Sequence, residues 1–406
     1  MKILVLNAGS SSQKSCLYEL TELPDRPPQP LWEAHTDWSH QQGVAELQVK
    51  TIHGAEVKTD ITSDSRRDVT EQMLKTLWSG ATQVIQQPNQ ISIVGHRVVH
   101  GGETYQSSTR VTEAVKGAIA DLIDLAPAHN PANLEGIQVI EELLGADVPQ
   151  VAVFDTAFHS QMPRSAATYA VPYEWFERGI RRYGFHGISH QYCAQRAAQL
   201  LDQELSQLRL INCHLGNGCS LAAIRDGYSV DTTMGFTPLE GLMMGTRSGS
   251  VDPGILLYLL REGGYTADQL DEALNKASGL KGVSGVSGDM RQIMQAIDQG
   301  NDRAQLALDI FFHRLRSCVG SMLASLGGLD ALIFTAGIGE NSPEARLATV
   351  EAFEFLGWEI NPEKNAERSK DDRDIATPES TVRVLVIHTQ EDWAIAQECW
   401  RLAQSH

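Results

Sequence analysis

Apolar residues in this chain gather in short runs that stop at small polar turns. Residues 3–14 read ILVLNAGSSSQK, an apolar strand followed by a tight Asn/Gly/Ser turn. Residues 209–220 read RLINCHLGNGCS and lead into LAAI at 221–224, again a strand, a polar Gly/Asn turn and a return strand. Residues 331–341 read ALIFTAGIGEN, a strand that ends in Gly-x-Gly ahead of a helix. Glycine in such turns lets backbone N–H groups come close to an anion and point inward. Two like strand–turn–strand units and a Gly-x-Gly strand end point to a nucleotide held between two related halves.

The same patterning places further elements. Strands are predicted near 15–20, 46–52 and 91–99. Val69, Met73, Leu74 and Leu77 recur at helical spacing, which predicts a helix over 68–86. LPDRPPQP (23–30) reads as a proline-rich surface loop. QVAVFD (150–155) is an apolar strand ending on an acid, and a helix follows at 187–201. From 252 the pattern is mostly helical, over 252–262, 266–275, 289–298 and 301–326. A helix from Ser342, a strand at 382–387 and a last helix at 392–403 close the chain. Such alternation indicates α/β architecture with mixed sheets. A hairpin opening each half is unlike the β–α opening of a dinucleotide fold. The G-x-G-x-x-G, Walker and G-x-S-x-G signatures are all absent.

Length and composition narrow the class. The 406 residues suffice for two domains with separate cores. A net charge of −18 speaks against a nucleic-acid partner, while a few local cations and Mg²⁺ suffice to hold a phosphate ligand. Six scattered cysteines, with no C-x-x-C pair, fit reduced thiols in a cytoplasmic enzyme. The start MKILVL ahead of Asn7 is too short for a signal-peptide apolar region, and no apolar window is long enough to span a membrane.

Several residues carry candidate chemistry. Arg97 ends an apolar run in HRVVHGG, and Arg247 lies in the glycine-bounded TRSG. Guanidinium forks suit carboxylate and phosphoryl oxygens, although either arginine read alone suits a structural ion pair. His186 stands between Phe185 and Gly187, and His129 lies in Pro-Ala-His-Asn-Pro. A single histidine in such surroundings is more often a hydrogen-bonded structural residue than a catalyst. Asp155 closes an apolar strand, a common place for a functional acid in α/β proteins, and equally a place for a helix cap or a partner of a buried arginine.

NAGSSSQK (7–14), GHRVVHGGE (95–103), APAHNPANL (126–134), VFDTAFH (153–159), RRYGFHGISH (181–190), HLGNG (214–218), MGTRSG (244–249), GVSGDMR (285–291) and TAGIGEN (335–341) run along essentially the whole chain. In order and spacing this series resembles the acetate kinase family. The resemblance implies a duplicated ribonuclease-H-like fold, shared with sugar kinases, actin and heat-shock chaperone ATPases, with two domains around a nucleotide cleft. It implies domains of residues 1–159 plus 393–406 and of 160–392. The implied reaction is reversible transfer of the ATP γ-phosphate to acetate, giving acetyl phosphate and ADP.

The resemblance also distributes roles. Arg97 anchors the carboxylate, with Val99, Phe185 and Pro238 as apolar walls and His129 helping to orient the site. His186 and Arg247 stabilise the phosphoryl group in transfer. Asp155 is the family's acid/base position. Acetate arrives ionised near neutral pH and needs no base, so an orienting role toward Arg97 or Arg247, or a contact to Mg²⁺ through water, is the better expectation. Asn7 and Glu391 are the Mg²⁺ positions, with Mn²⁺ a possible substitute. Nucleotide positions are Lys14, then His214, Leu215, Gly216, Asn217 and Gly218, then Asp289, Met290 and Arg291, then Gly337, Ile338, Gly339, Glu340 and Asn341. A homodimer is implied, with 252–326 as much of its interface.

Three departures matter. HTQED (388–392) stands where the family usually has PTNEE, Ala128 stands where leucine is common, and Ser250 stands where an aspartate is usual after TRSG, with Asp252 kept. The second predicts looser size selection, with some use of propionate. The rival readings are a propionate or butyrate kinase, told apart by the pocket near Ala128, and an actin-like nucleotide switch, which has no use for the paired arginines and His186.

Overall fold

The computed structural model describes residues 1–9, 12–41, 43–127 and 129–405, and only the backbone at 39–41. The chain forms two compact units. Unit 1 is Met1–Ala157 with Gln390–His406, and unit 2 is Phe158–Thr389.

Unit 1 is built on strands β1 (Lys2–Ala8), β2 (Ser12–Glu19), β3 (Trp32–Gln41), β4 (Val44–Thr51), β5 (Glu56–Thr62), β6 (Ile93–Val98), β7 (Thr109–Arg110) and β8 (Gln150–Phe154). They lie in the order β5-β4-β3-β2-β1-β6-β8-β7. β1 runs antiparallel to β2 and parallel to β6, and β6 runs parallel to β8. Unit 2 contains β9 (Arg209–Leu215), β10 (Cys219–Arg225), β11 (Tyr228–Thr232), β12 (Ala331–Thr335), β13 (Arg373–Asp374) and β14 (Arg383–Val386), in the order β11-β10-β9-β12-β14-β13. β9 pairs antiparallel with β10 and parallel with β12, and β12 pairs parallel with β14. Without the edge additions, β3-β2-β1-β6-β8 and β11-β10-β9-β12-β14 are one arrangement used twice. This is the duplicated ribonuclease-H-like fold.

The central strands are apolar because helices cover both faces. β8 is buried at every residue, as is β12. The helix Asn130–Leu144 packs Val139 and Ile140 into a core with Leu4 and Leu6 of β1. The C-terminal helix Glu391–Gln404 packs on β1 and β6 from unit 1's own discontinuous segment. Gly95 makes that close approach possible: a Cβ there would stand 2.5 Å from Cys399 Sγ and 2.6 Å from Ile395 Cγ2. Unit 2 covers β9 and β12 with the helix Gly187–Leu201.

Three sequence expectations need correction. The helix expected over 68–86 is Arg66–Lys75, opened by the Ser65 side chain accepting from Asp68 N–H. Thr76 ends it by turning its hydroxyl onto the Met73 carbonyl, and Gly80 then takes φ +83°. Leu77 and Ile85 remain buried without helical backbone, so burial supplied the apparent periodicity. The Gly337-x-Gly339 loop is a short helix, Ala336–Asn341, and the left-handed residue that opens it is Ala336 at φ +65°. Strands β3, β5 and β11 and the helices Glu113–Asp121, Asn130–Leu144 and Gly279–Ser284 lie where no element was expected.

Candidate active site

In unit 1 the candidate residues stand at the carboxyl ends of β1, β6 and β8 and at the start of the C-terminal helix. Arg97 donates through Nε (3.1 Å) and Nη2 (2.6 Å) to the same oxygen, Oδ2 of Asp155. The pair is well sealed, with Asp155 2% and Arg97 14% exposed at the side chain. Burial opposes the guanidinium charge, but Asp155 and then Glu391 hold its pKa above the ordinary value. Asp155 therefore fixes the plane of Arg97; its own N–H donates to the Val98 carbonyl at 2.9 Å.

Asn7 extends its amide N–H₂ to Glu391 Oε2 (3.2 Å) and Asp392 Oδ1 (3.0 Å). Lys14 pairs with Asp392 at 2.8 Å and lies 3.6 Å from Glu33. Burial works against the Lys14 charge, and Asp392 more than restores it, so the ammonium is held firmly protonated. Among the described residues no three His, Cys, Asp or Glu side chains converge on a metal-binding point. Asn7 and Glu391 nevertheless supply amide and carboxylate oxygen. Such hard donors fit Mg²⁺, whose remaining ligands are phosphate oxygens and water.

Two asparagines knit this end of unit 1 together. Asn133 accepts from Val99 N–H (3.1 Å) and donates to the Ala8 carbonyl (3.3 Å). Asn130 accepts from His100 N–H (3.2 Å) and donates to the carbonyls of His100 and Ile119. They tie the chain beside His129, which is half-buried, to the ends of β1 and β6. Val99 is buried there. Ala128 lies outside the described residues.

Unit 2 assembles its residues around the β9–β10 turn. Gly216 N–H donates to the Gly218 carbonyl at 3.0 Å, closing the turn. A Cβ on Gly218 would lie 2.8 Å from Arg247 Nη2 and 3.4 Å from His186 Nε2. The glycine thus leaves the space into which an arginine and a histidine both reach. Arg247 Nη1 donates to the Pro238 carbonyl at 2.6 Å. Gly245 N–H donates to the Asn217 carbonyl at 3.0 Å, and a Cβ on Gly245 would strike Asn217 Oδ1. His186 caps the helix Gly187–Leu201 from the left-handed region, φ +56°, a strained conformation for a non-glycine residue that surrounding structure must enforce. Its ring stacks on His214 at 4.1 Å. His214 Nδ1 is hydrogen-bonded to Ser189 Oγ, which accepts from Thr389. Phe185 is buried, and its carbonyl accepts from His159 Nε2 at 3.0 Å.

The short helix Ala336–Asn341 is held from three sides. Glu340 Oε1 accepts from Ala336 N–H (2.8 Å) and Thr389 N–H (3.2 Å). Arg346, 1% exposed, donates to the carbonyls of Gly339 and Glu340 and to Asn365, satisfying the helix's last carbonyls. Burial pushes the Arg346 pKa down to about 10. Gly337 and Asn341 are exposed and Ile338 is half-buried. Asp289 caps the helix Met290–Asp298, and Arg291 folds back on Asp289 with its side chain 87% exposed. Met290 is buried. Arg291 thus joins Asn217, Gly337 and Asn341 among the expected nucleotide residues that are exposed. Sequence reading missed Asn130, Asn133, Ser220, His190, Asn212 and Arg346, which hold the others in place.

Twin sheets of one strand order, with a glycine turn bordered by Arg247 and His186 in unit 2, suit a phosphotransferase. The chain belongs to the acetokinase family, whose model matches residues 2–397. It is 65% identical to the acetate kinase of Cyanothece sp. over 100% of this chain and 99% of that protein. Its structure is similar to crystalline Porphyromonas gingivalis acetate kinase, with TM-score 0.90 and 40% identity over 99% of this chain and 100% of the other. It is also similar to a propionate kinase from Francisella tularensis, with TM-score 0.88 and 38% identity over 98% and 99% of the two chains.

Proposed function

We propose that this chain transfers the γ-phosphate of ATP to acetate, giving acetyl phosphate and ADP, and runs the reaction in either direction. Arg97, its plane set by Asp155, binds the acetate carboxylate, and Val99, Phe185 and Pro238 exclude larger groups while His129 helps orient the site. Acetate is already ionised at neutral pH, so no residue need remove a proton. Asp155 acts through Arg97. Lys14, the turn His214–Gly218, Asp289–Arg291 and Gly337–Asn341 bind ATP. Asn7 and Glu391 would hold Mg²⁺, or Mn²⁺ in its place, which when bound neutralises charge on the phosphates. His186 and Arg247 offset the charge that develops on the phosphoryl oxygens in an in-line transfer, where placement and electrostatics do nearly all the work.

The observation that supports this reading most is the reach of Arg247 and His186 into the space that Gly218 leaves open. Trapping with hydroxylamine tests it. Acyl hydroxamate should form only with acetate, ATP and divalent cation together; ATP hydrolysis without hydroxamate would favour a nucleotide switch.

The chain is expected to work in the cytoplasm as a homodimer without a nucleic-acid partner. The helix Pro253–Arg261 has no buried residue and exposes Ile255, Leu257, Tyr258 and Leu260, an apolar face that supports self-association. Sedimentation at micromolar concentration tests this. Ala128 in place of a common leucine favours a second substrate, propionate, used more weakly than acetate. The ratio of kcat/KM for the two acids measures it, and Ala128→Leu should depress propionate turnover more than acetate turnover.

A further inference from the structure

Behind His186 lies a chain of buried polar groups that reaches no solvent and that the phosphoryl transfer does not itself use. Asn212 Nδ2 lies 2.9 Å from His190 Nδ1, His190 Nε2 lies 2.8 Å from Ser220 Oγ, and Ser220 Oγ lies 2.9 Å from His186 Nδ1. Asn212, His190 and Ser220 are all 0% exposed. Asn212 stands on β9 and Ser220 on β10, while His186 and His190 stand one turn apart at the start of the helix Gly187–Leu201.

The proton positions follow from one end. An amide N–H₂ can only donate, so His190 Nδ1 accepts and the His190 proton sits on Nε2. Burial, and then the neighbouring His159 and His214, keep His190 neutral by pushing its pKa well below the usual value. His190 Nε2–H donates to Ser220 Oγ. Among the described residues that hydroxyl meets the two imidazoles alone, so its single proton goes to His186 Nδ1. His186 then accepts at Nδ1 and carries its own proton on Nε2. That nitrogen faces the space beside Gly218, 3.4 Å from where a Cβ would stand.

We propose that Asn212, His190 and Ser220 are positioning residues that hold His186 in its neutral Nε2–H tautomer, so that it meets the phosphoryl oxygens as a hydrogen-bond donor. This rests on the role given to His186 above. The direction of the chain matters because an imidazole offering its lone pair would repel an anionic oxygen. A donor fixed in advance costs no reorganisation as charge develops. The left-handed backbone of His186 serves the same end, because it lets Nδ1 face Ser220 while the ring stacks on His214.

Two-bond ¹H–¹⁵N correlation on the full-length protein labelled with ¹⁵N-histidine reads the tautomer directly. The His186 signals are assigned by their loss in His186→Asn. The wild type should show a protonated Nε2 and an unprotonated Nδ1. Nδ1–H, or a doubly protonated ring at neutral pH, overturns the proposal, and this result needs no other variant to fold. Asn212→Asp offers His190 an acceptor and should reverse every bond in the chain. His186 Nε2 should then lose its proton signature, and kcat should fall by roughly 10²–10³, the usual loss for one preorganised donor, with the acetate KM nearly unchanged. Ser220→Ala should leave the two His186 nitrogens averaged, and Ser220→Thr should restore the wild-type pattern. A tautomer indifferent to both Asn212→Asp and Ser220→Ala contradicts the proposal. If His186→Ala keeps full kcat, the catalytic role of His186 fails while the tautomer result still stands.

Discussion

At the ends of the central strands of unit 1 stand ions: Arg97 against Asp155, Lys14 against Asp392, and Glu391 against the Asn7 amide. At the corresponding ends in unit 2 stand hydrogen-bonded imidazoles and open space: His214 on Ser189, His186 on Ser220, and the glycine turn at 216–218, bordered by Arg247 and His186. One strand order carries both. In unit 1 position comes from charge-assisted bonds, so each ion depends on its partner. In unit 2 it comes from tautomers and from room that side chains leave vacant, so added bulk or a reversed dipole does the harm. The first suits capture of a small carboxylate, which carries the same charge before and during reaction. The second suits a phosphoryl group whose charge is redistributed in the transition state.

Breaking an ion pair in unit 1 should have the largest effect on stability. Asp155→Asn leaves the guanidinium of Arg97 buried without its counter-ion, and such a loss costs about 3–5 kcal/mol. Denaturant melts should show that drop, and acetate KM should rise more than tenfold. The pH–rate profile should keep the limbs of the wild type. A limb present in the wild type and missing only here would show that Asp155 exchanges a proton in the reaction.

Filling the space in unit 2 should cost activity and little stability. Gly218→Ala sets a methyl 2.8 Å from Arg247 Nη2. Displacing a catalytic group by about 1 Å can cost on the order of 100-fold, and kcat should fall by tenfold to that much, with an unchanged melting temperature. Full activity in this variant would remove Arg247 from the transition state.

The smallest effect should come from His388, which stands where the family usually has proline. Its Nδ1 lies 3.7 Å from Asp372 and its Nε2 3.7 Å from Glu340. Asp372, then Glu340, raise its pKa above the ordinary value against burial and the nearby Arg373. A raised histidine pKa stabilises the fold fully below the unfolded value, and the gain is lost as pH rises through the folded one. His388→Gln should therefore be less stable than the wild type near about pH 6, by less than roughly 1 kcal/mol, and equal to it near about pH 8.5. A difference that grows with pH would contradict the assignment.

The apolar runs, the hairpins and the glycine turns were legible in the sequence because each is local. So were the histidines and arginines of the motifs. The strand β3 was not, because its inward face is Trp32, Ala34 and Thr36, where a small and a polar residue break the alternation. The helix Asn130–Leu144 was hidden by two buried asparagines in its first turns. The supports of the site were illegible for a related reason. Asn133 reaches Ala8 across 125 positions, and Ser220 reaches His186 across 34. A polar residue becomes a support only when folding brings its partner near, and no spacing within a motif records that.

The division between an anchoring unit and a clamping unit is tested most directly by steady-state kinetics of Arg97→Ala and Arg247→Ala side by side. An interaction made equally before and during reaction moves KM, and one made only in the transition state moves kcat. Arg97→Ala should raise the acetate KM by about 10- to 100-fold, as expected for lost hydrogen bonds to a charged group, with kcat largely kept. Arg247→Ala should lower kcat by about 10³-fold, with acetate KM changed only a few fold. Two variants with the same modest rise in KM and intact kcat would contradict the account.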